Sequence, residues 1–72
     1  MHYRYEETCD VELGDRVLIT TEPFEPDEAV VIYIGNHDTL RVRYRSEHIK
    51  PQTEWVSIHQ CEFLSRESAD VH

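Results

Sequence analysis

The run Leu40-Arg41-Val42-Arg43-Tyr44-Arg45 alternates apolar and charged residues at every step. Only an extended backbone sends successive side chains to opposite faces. The run is therefore a strand, with Leu40, Val42 and Tyr44 on one face and three arginines on the other. The same period of two recurs over residues 54–59, where Val56 and Ile58 share one face and Trp55, Ser57 and His59 the other. No stretch shows a period of 3.6, and turn residues separate the short runs. A chain patterned in this way buries its apolar surface through a sheet.

The remaining segments fit that reading. Gly14-Asp15 signals a turn ahead of Arg16-Val17-Leu18-Ile19-Thr20-Thr21, which is rich in β-branched residues. Pro23 and Pro26 interrupt residues 22–28, an acidic loop that carries Phe24. Residues 29–34 are apolar throughout. That composition suits a strand buried on both faces, although periodicity alone does not separate it from a short buried helix. Gly35-Asn36-His37-Asp38 reads as a hairpin turn, with Gly35 and Asn36 supplying tolerance of positive φ. Residues 47–53 form a polar connection containing Pro51. Residues 60–65 read as a 3₁₀ turn that sets Phe63 or Leu64 in the core, and residues 65–72 as a polar end that frays.

Seventy-two residues make one small domain. A chain of this size buries only about 60–65% of its unfolded surface, so contact with a partner bears on its stability. The expected fold is all-β, a small curled antiparallel sheet whose closure into a barrel protects its edges. Leu13-Gly14-Asp15-Arg16-Val17, the apolar run 29–34, a tight turn and Leu40-Arg41-Val42-Arg43-Tyr44 follow one another in order. Trp55-Val56-Ser57-Ile58 then leads into Cys61-Glu62-Phe63-Leu64. This succession resembles the SH3-like barrels and, within them, the Tudor-like group. The resemblance spans about residues 11–65. It implies a five-stranded antiparallel barrel with a short 3₁₀ turn near its C-terminus, between an N-terminal extension (1–10) and a flexible tail (66–72).

Seven basic and fifteen acidic side chains give a net charge of −8. That balance argues against direct binding of nucleic acid by phosphate neutralisation and favours a cationic partner. The acidity is uneven: residues 1–36 carry −7 and residues 37–72 carry −1. No apolar run approaches the roughly 18–20 residues that span a bilayer, so no membrane association is expected. The first residues lack the apolar core and small-residue cleavage site of a secretory signal. An intracellular, reducing location follows, with Cys9 and Cys61 as free thiols.

The resemblance to Tudor domains that read methyl marks implies an aromatic at the end of the first strand, another on the third, and acids just after it. Tyr44 matches the third-strand position, while Thr20 or Thr21 stands at the first, with Phe24 a few residues on. Arg45-Ser46 stand where the acids belong, ahead of Glu47. Phe24, Tyr44, His48 and Trp55 are the candidate cage, since aromatic faces attract a weakly hydrated cation. Against this, Tyr44 reads as core, Phe24 as an anchor for its own loop and Trp55 as half-buried. Glu25, Asp27 and Glu28 (with Glu22) would complement a basic peptide, or form a solvated loop. Arg41, Arg43 and Arg45 form a secondary interaction face, or pair with acids such as Glu54.

His59 and Cys61 lie two apart and would point the same way on a strand, but the paired hooks of a zinc site are missing. No metal, cofactor or catalytic motif is expected. The expected function is a non-enzymatic interaction module for a basic or methylated Lys/Arg peptide. Two alternatives stand beside it. One is a small structural or regulatory subunit of a larger assembly, docking through the arginine ridge and Trp55. The other is an acidic mimic of nucleic acid that occupies the groove of a DNA-binding protein.

Overall fold

A computed structural model of the chain describes residues 3–20 and 25–66. Six strands form one antiparallel sheet: β1 (Tyr3–Arg4), β2 (Arg16–Ile19), β3 (Asp27–Ile34), β4 (Thr39–Tyr44), β5 (Thr53–Ser57) and β6 (Cys61–Ser65). Their order across the sheet is β1-β6-β2-β3-β4-β5. Two 3₁₀ turns, Thr8–Asp10 and Ile58–Gln60, complete the elements. The all-β expectation holds. The closed barrel does not: among the described residues, β1 and β5 stand at the two ends of the sheet without pairing.

The inward side chains form one core. Val17 and Ile19 of β2, Ala29 and Val31 of β3, Leu40, Val42 and Tyr44 of β4, and Val56, Ile58 and Cys61 all belong to it. Tyr5 and Val11 join them from the N-terminal segment. The described part of the N-terminal segment joins the sheet and its core: β1 pairs with β6, and Tyr5 is one of the largest fully buried side chains.

The apolar run 29–34 is not buried on both faces. Val30 and Ile32 are half-buried and Tyr33 is exposed. The register explains why. Val31 pairs with Val42 and Tyr33 with Arg41, so Ile32 is an extra residue on β3. A bulge of this kind reverses the phase of the strand. Val31 points inward before it, Ile34 packs against the core after it, and Tyr33 is turned outward.

Two further expectations shift. Residues 61–65 form β6, and the 3₁₀ turn precedes them at Ile58–Gln60. A capping box closes that turn: Ser57 Oγ accepts from the His59 N–H at 3.1 Å and Gln60 Oε1 from the Ser57 N–H at 3.2 Å. The turn also sets His59 outside and Cys61 inside, so the two do not point the same way. The hairpin between β3 and β4 forms as expected, but His37 (φ 58°) and Asp38 (φ 61°) hold its left-handed positions.

Candidate functional site

Arg41, Tyr33 and Trp55 lie in one row across the outer face, because Arg41 pairs with Tyr33 on β3 and with Trp55 on β5. The rings of Tyr33 and Trp55 meet edge to face, centroids 5.9 Å apart at 88°. The Arg41 guanidinium carbon lies 5.5 Å from the Trp55 ring centroid, and Nη2 donates to Thr53 Oγ1 at 2.9 Å. Tyr33 and Trp55 nevertheless remain 59% and 50% exposed, which makes them two of the three large apolar side chains left open to solvent among the described residues. Adjacent exposed aromatics are a stronger indication of a contact surface than a lone one.

Beside the indole lies an open groove of about 400 Å³ that the hairpin residues Asn36, His37 and Thr39 also line. Gly35 makes the groove's floor possible. A Cβ there would stand 2.7 Å from Trp55 Cζ3 and 2.8 Å from Thr39 Oγ1, so any side chain would push the indole away. The glycine is needed for space.

Of the residues expected to build a cage, Tyr44 and Trp55 lie on opposite faces of the sheet. Tyr44 is buried on the inner face, and its hydroxyl donates to Glu54 Oε1 at 2.6 Å. Burial, then that hydrogen bond, raise the Tyr44 phenol well above its usual pKa. Glu47 and His48 are exposed in the β4–β5 connection, where the His48 N–H donates to Ser46 Oγ. Phe24 lies outside the described residues. Asp27 and Glu28 open β3, so the acidic stretch runs into the strand. Glu25 and Asp27 are exposed, whereas Glu28 pairs with Arg45 at 3.1 Å. These acids sit at one end of β3 and Tyr33 at the other.

The arginine ridge does not act as one unit either. Arg45 is committed to Glu28, and Glu54 to Tyr44 on the inner face. Among the described residues, Arg41 and Arg43 meet no carboxylate.

A second cluster went unnoticed in the sequence. Asp15 is fully buried. Its Oδ1 accepts from Arg66 Nε at 2.8 Å, and its Oδ2 from Tyr5 Oη at 2.6 Å, Arg66 Nη2 at 3.0 Å and the Glu12 N–H at 3.1 Å. Arg66 also reaches Glu12 Oε2 at 3.2 Å and the Asp10 carbonyl at 3.0 Å. Burial alone would raise the Asp15 pKa, but these donors outweigh it and hold the carboxyl below its ordinary value. The guanidinium also lies 5.3 Å from the Phe63 ring centroid, and Phe63 meets Tyr5 edge to face at 6.1 Å. The cluster fastens Tyr5, just after β1, and Arg66, just after β6, to the turn ahead of β2.

Cys9 is exposed and Cys61 buried, both as free thiols. Burial pushes the Cys61 thiol up to about 11. Among the described residues no helix is long and apolar enough to cross a membrane, and no three His, Cys, Asp or Glu side chains gather as metal ligands would. No known family model matches the sequence, and no curated protein or solved structure is significantly similar to it.

Proposed function

We propose that this chain is a non-enzymatic, SH3-like interaction module, a small subunit whose partner docks on the outer face around Trp55. The strand order supports the SH3-like reading, because β6 returns beside β2 across the 3₁₀ turn and curls the sheet over one core. The free thiols Cys9 and Cys61 fit an intracellular setting.

One observation carries the docking reading: a half-exposed tryptophan in contact with both a tyrosine and an arginine. Aromatic and arginine side chains dominate the energetics of protein interfaces, since they offer large contact area at low entropic cost. The neighbouring charges set the partner's chemistry. Arg41 and Arg43 are cationic, and the acids needed for a basic peptide are at the far end of β3. The partner surface is therefore acidic around an apolar anchor.

Correlation spectra of the ¹⁵N-labelled chain, recorded with short acidic and short basic peptides, test this. Acidic peptides should move the signals of Tyr33, Arg41 and Trp55, and added salt should weaken the effect. If basic peptides alone act, and shift Glu25, Asp27 and Glu28, the basic-peptide reading replaces this one.

A further inference from the structure

The Trp55 groove borders a strand edge with backbone groups to offer. The Tyr44 N–H donates to the Gln52 carbonyl at 2.8 Å, and the Ile58 N–H to the Asp38 carbonyl at 2.9 Å. Antiparallel partners alternate between bonded and non-bonded pairs. Gln52, Glu54, Val56 and Ile58 therefore face β4, while Thr53, Trp55 and Ser57 turn their N–H and C=O groups to the free side. Ser57 is already engaged: its N–H binds Gln60 Oε1, and its carbonyl accepts from Cys61 Sγ at 3.5 Å. What remains are the backbone groups of Thr53 and Trp55, with no strand beside them among the described residues.

The outer-face cluster beside this edge repeats the Asp15 cluster with one part missing. In each, two aromatic rings meet edge to face and an arginine lies over one of them. Around Asp15 the arginine is completed by a carboxylate, through two parallel hydrogen bonds. On the outer face Arg41 has only the neutral Thr53 hydroxyl, which draws the guanidinium toward the open edge. Arg43, in register with Thr53, adds a second unmatched positive charge there.

We infer that the free edge of β5 takes up an extended acidic segment of a partner protein by strand addition. The added strand bonds to the N–H and C=O groups of Thr53 and Trp55. An apolar residue opposite Trp55 extends the row Tyr33–Arg41–Trp55 and covers the indole. A carboxylate two residues along, opposite Thr53, meets Arg41 in the role Asp15 plays for Arg66. Main-chain bonds supply affinity in such complexes, and alternate side chains supply specificity. This inference rests on the docking reading above and specifies its mode.

The test uses the full chain and a short peptide of alternating Glu and Val, with two controls: the same peptide with Lys for Glu, and one N-methylated along the edge meant to face β5. The Glu/Val peptide should slow hydrogen exchange of the Thr53 and Trp55 amides at least tenfold and shift Trp55 fluorescence. Either control should weaken binding roughly tenfold or more, as should Arg41→Gln. Shifts at Trp55 with no amide protection, or equal binding by the N-methylated peptide, would overturn strand addition while leaving the docking reading intact. No binding by any acidic peptide overturns both. A chain that is already a dimer, with Thr53 and Trp55 amides protected before peptide is added, assigns the edge to a second copy and overturns the proposal.

Discussion

The two ends of the sheet carry similar groups with opposite outcomes. Tyr5, Phe63 and Arg66 surround a fully buried carboxylate and are closed off by it. Tyr33, Trp55 and Arg41 have no such centre and remain open to solvent. The same chemistry is thus closed around a buried acid in one place and left open to solvent in the other. The difference is a buried internal acid, Asp15. Where the chain supplies its own carboxylate, the arginine is consumed. Where it does not, the arginine meets only a hydroxyl and is the group that the proposed partner would engage.

The largest expected effect tests that division directly. Arg66→Ala strands the buried Asp15 carboxylate and should cost about 3 kcal/mol in denaturant unfolding. Arg41→Ala should cost no more than about 1 kcal/mol, since its contacts are part-buried and neutral. Similar costs for the two would break the comparison. Removing only the hydroxyl sharpens it: Tyr5→Phe should lose about 1 kcal/mol and Tyr33→Phe close to nothing, by the same measurement.

Acid probes the closed cluster alone. The folded Asp15 carboxyl has a depressed pKa, so its stabilisation is complete above the unfolded value of about 3.9 and is lost as pH falls through the folded one. The stability gap between the parent and Asp15→Asn should stay constant from about pH 7 to 5, then narrow below about pH 4. A gap that widened on acidification would contradict the ion pair. The smallest effect belongs to the hairpin beside the groove. Replacing His37 by Asn and Asp38 by Gly suits the left-handed positions and should raise stability by about 0.5–1 kcal/mol in thermal melts, leaving the Trp55 fluorescence unchanged.

Local periodicity made much of the fold legible. The faces of β4 and β5 follow from alternation alone, including the outward placement of Trp55 and the inward placement of Tyr44. Tyr33 was hidden because residues 29–34 are uniformly apolar and the bulge at Ile32 reverses their phase, which no two-residue pattern reveals. Residues 61–65 were misplaced because a strand in mid-sheet, paired with both β1 and β2, takes its definition from those distant partners. The Asp15 cluster was illegible for a similar reason. Tyr5 and Arg66 lie 10 and 51 residues from the carboxylate they bind, so Asp15 read only as a turn residue. For the candidate site, the sequence offers Trp55 and Arg41 as one docking surface, and the strand register adds Tyr33 to them.

Among the described residues, the outer-face cluster lacks a carboxylate of the kind Asp15 supplies to Arg66, and adding one shows whether Arg41 awaits it. Thr53→Asp places an acid where Arg41 Nη2 now meets a hydroxyl at 2.9 Å, while Thr53→Asn offers the same shape without the charge. Affinity for the Glu/Val peptide, read from Trp55 fluorescence, should fall at least tenfold in Thr53→Asp and stay near the parent value in Thr53→Asn. Equal affinity of both variants would show that Arg41 awaits no carboxylate, and the account would be wrong.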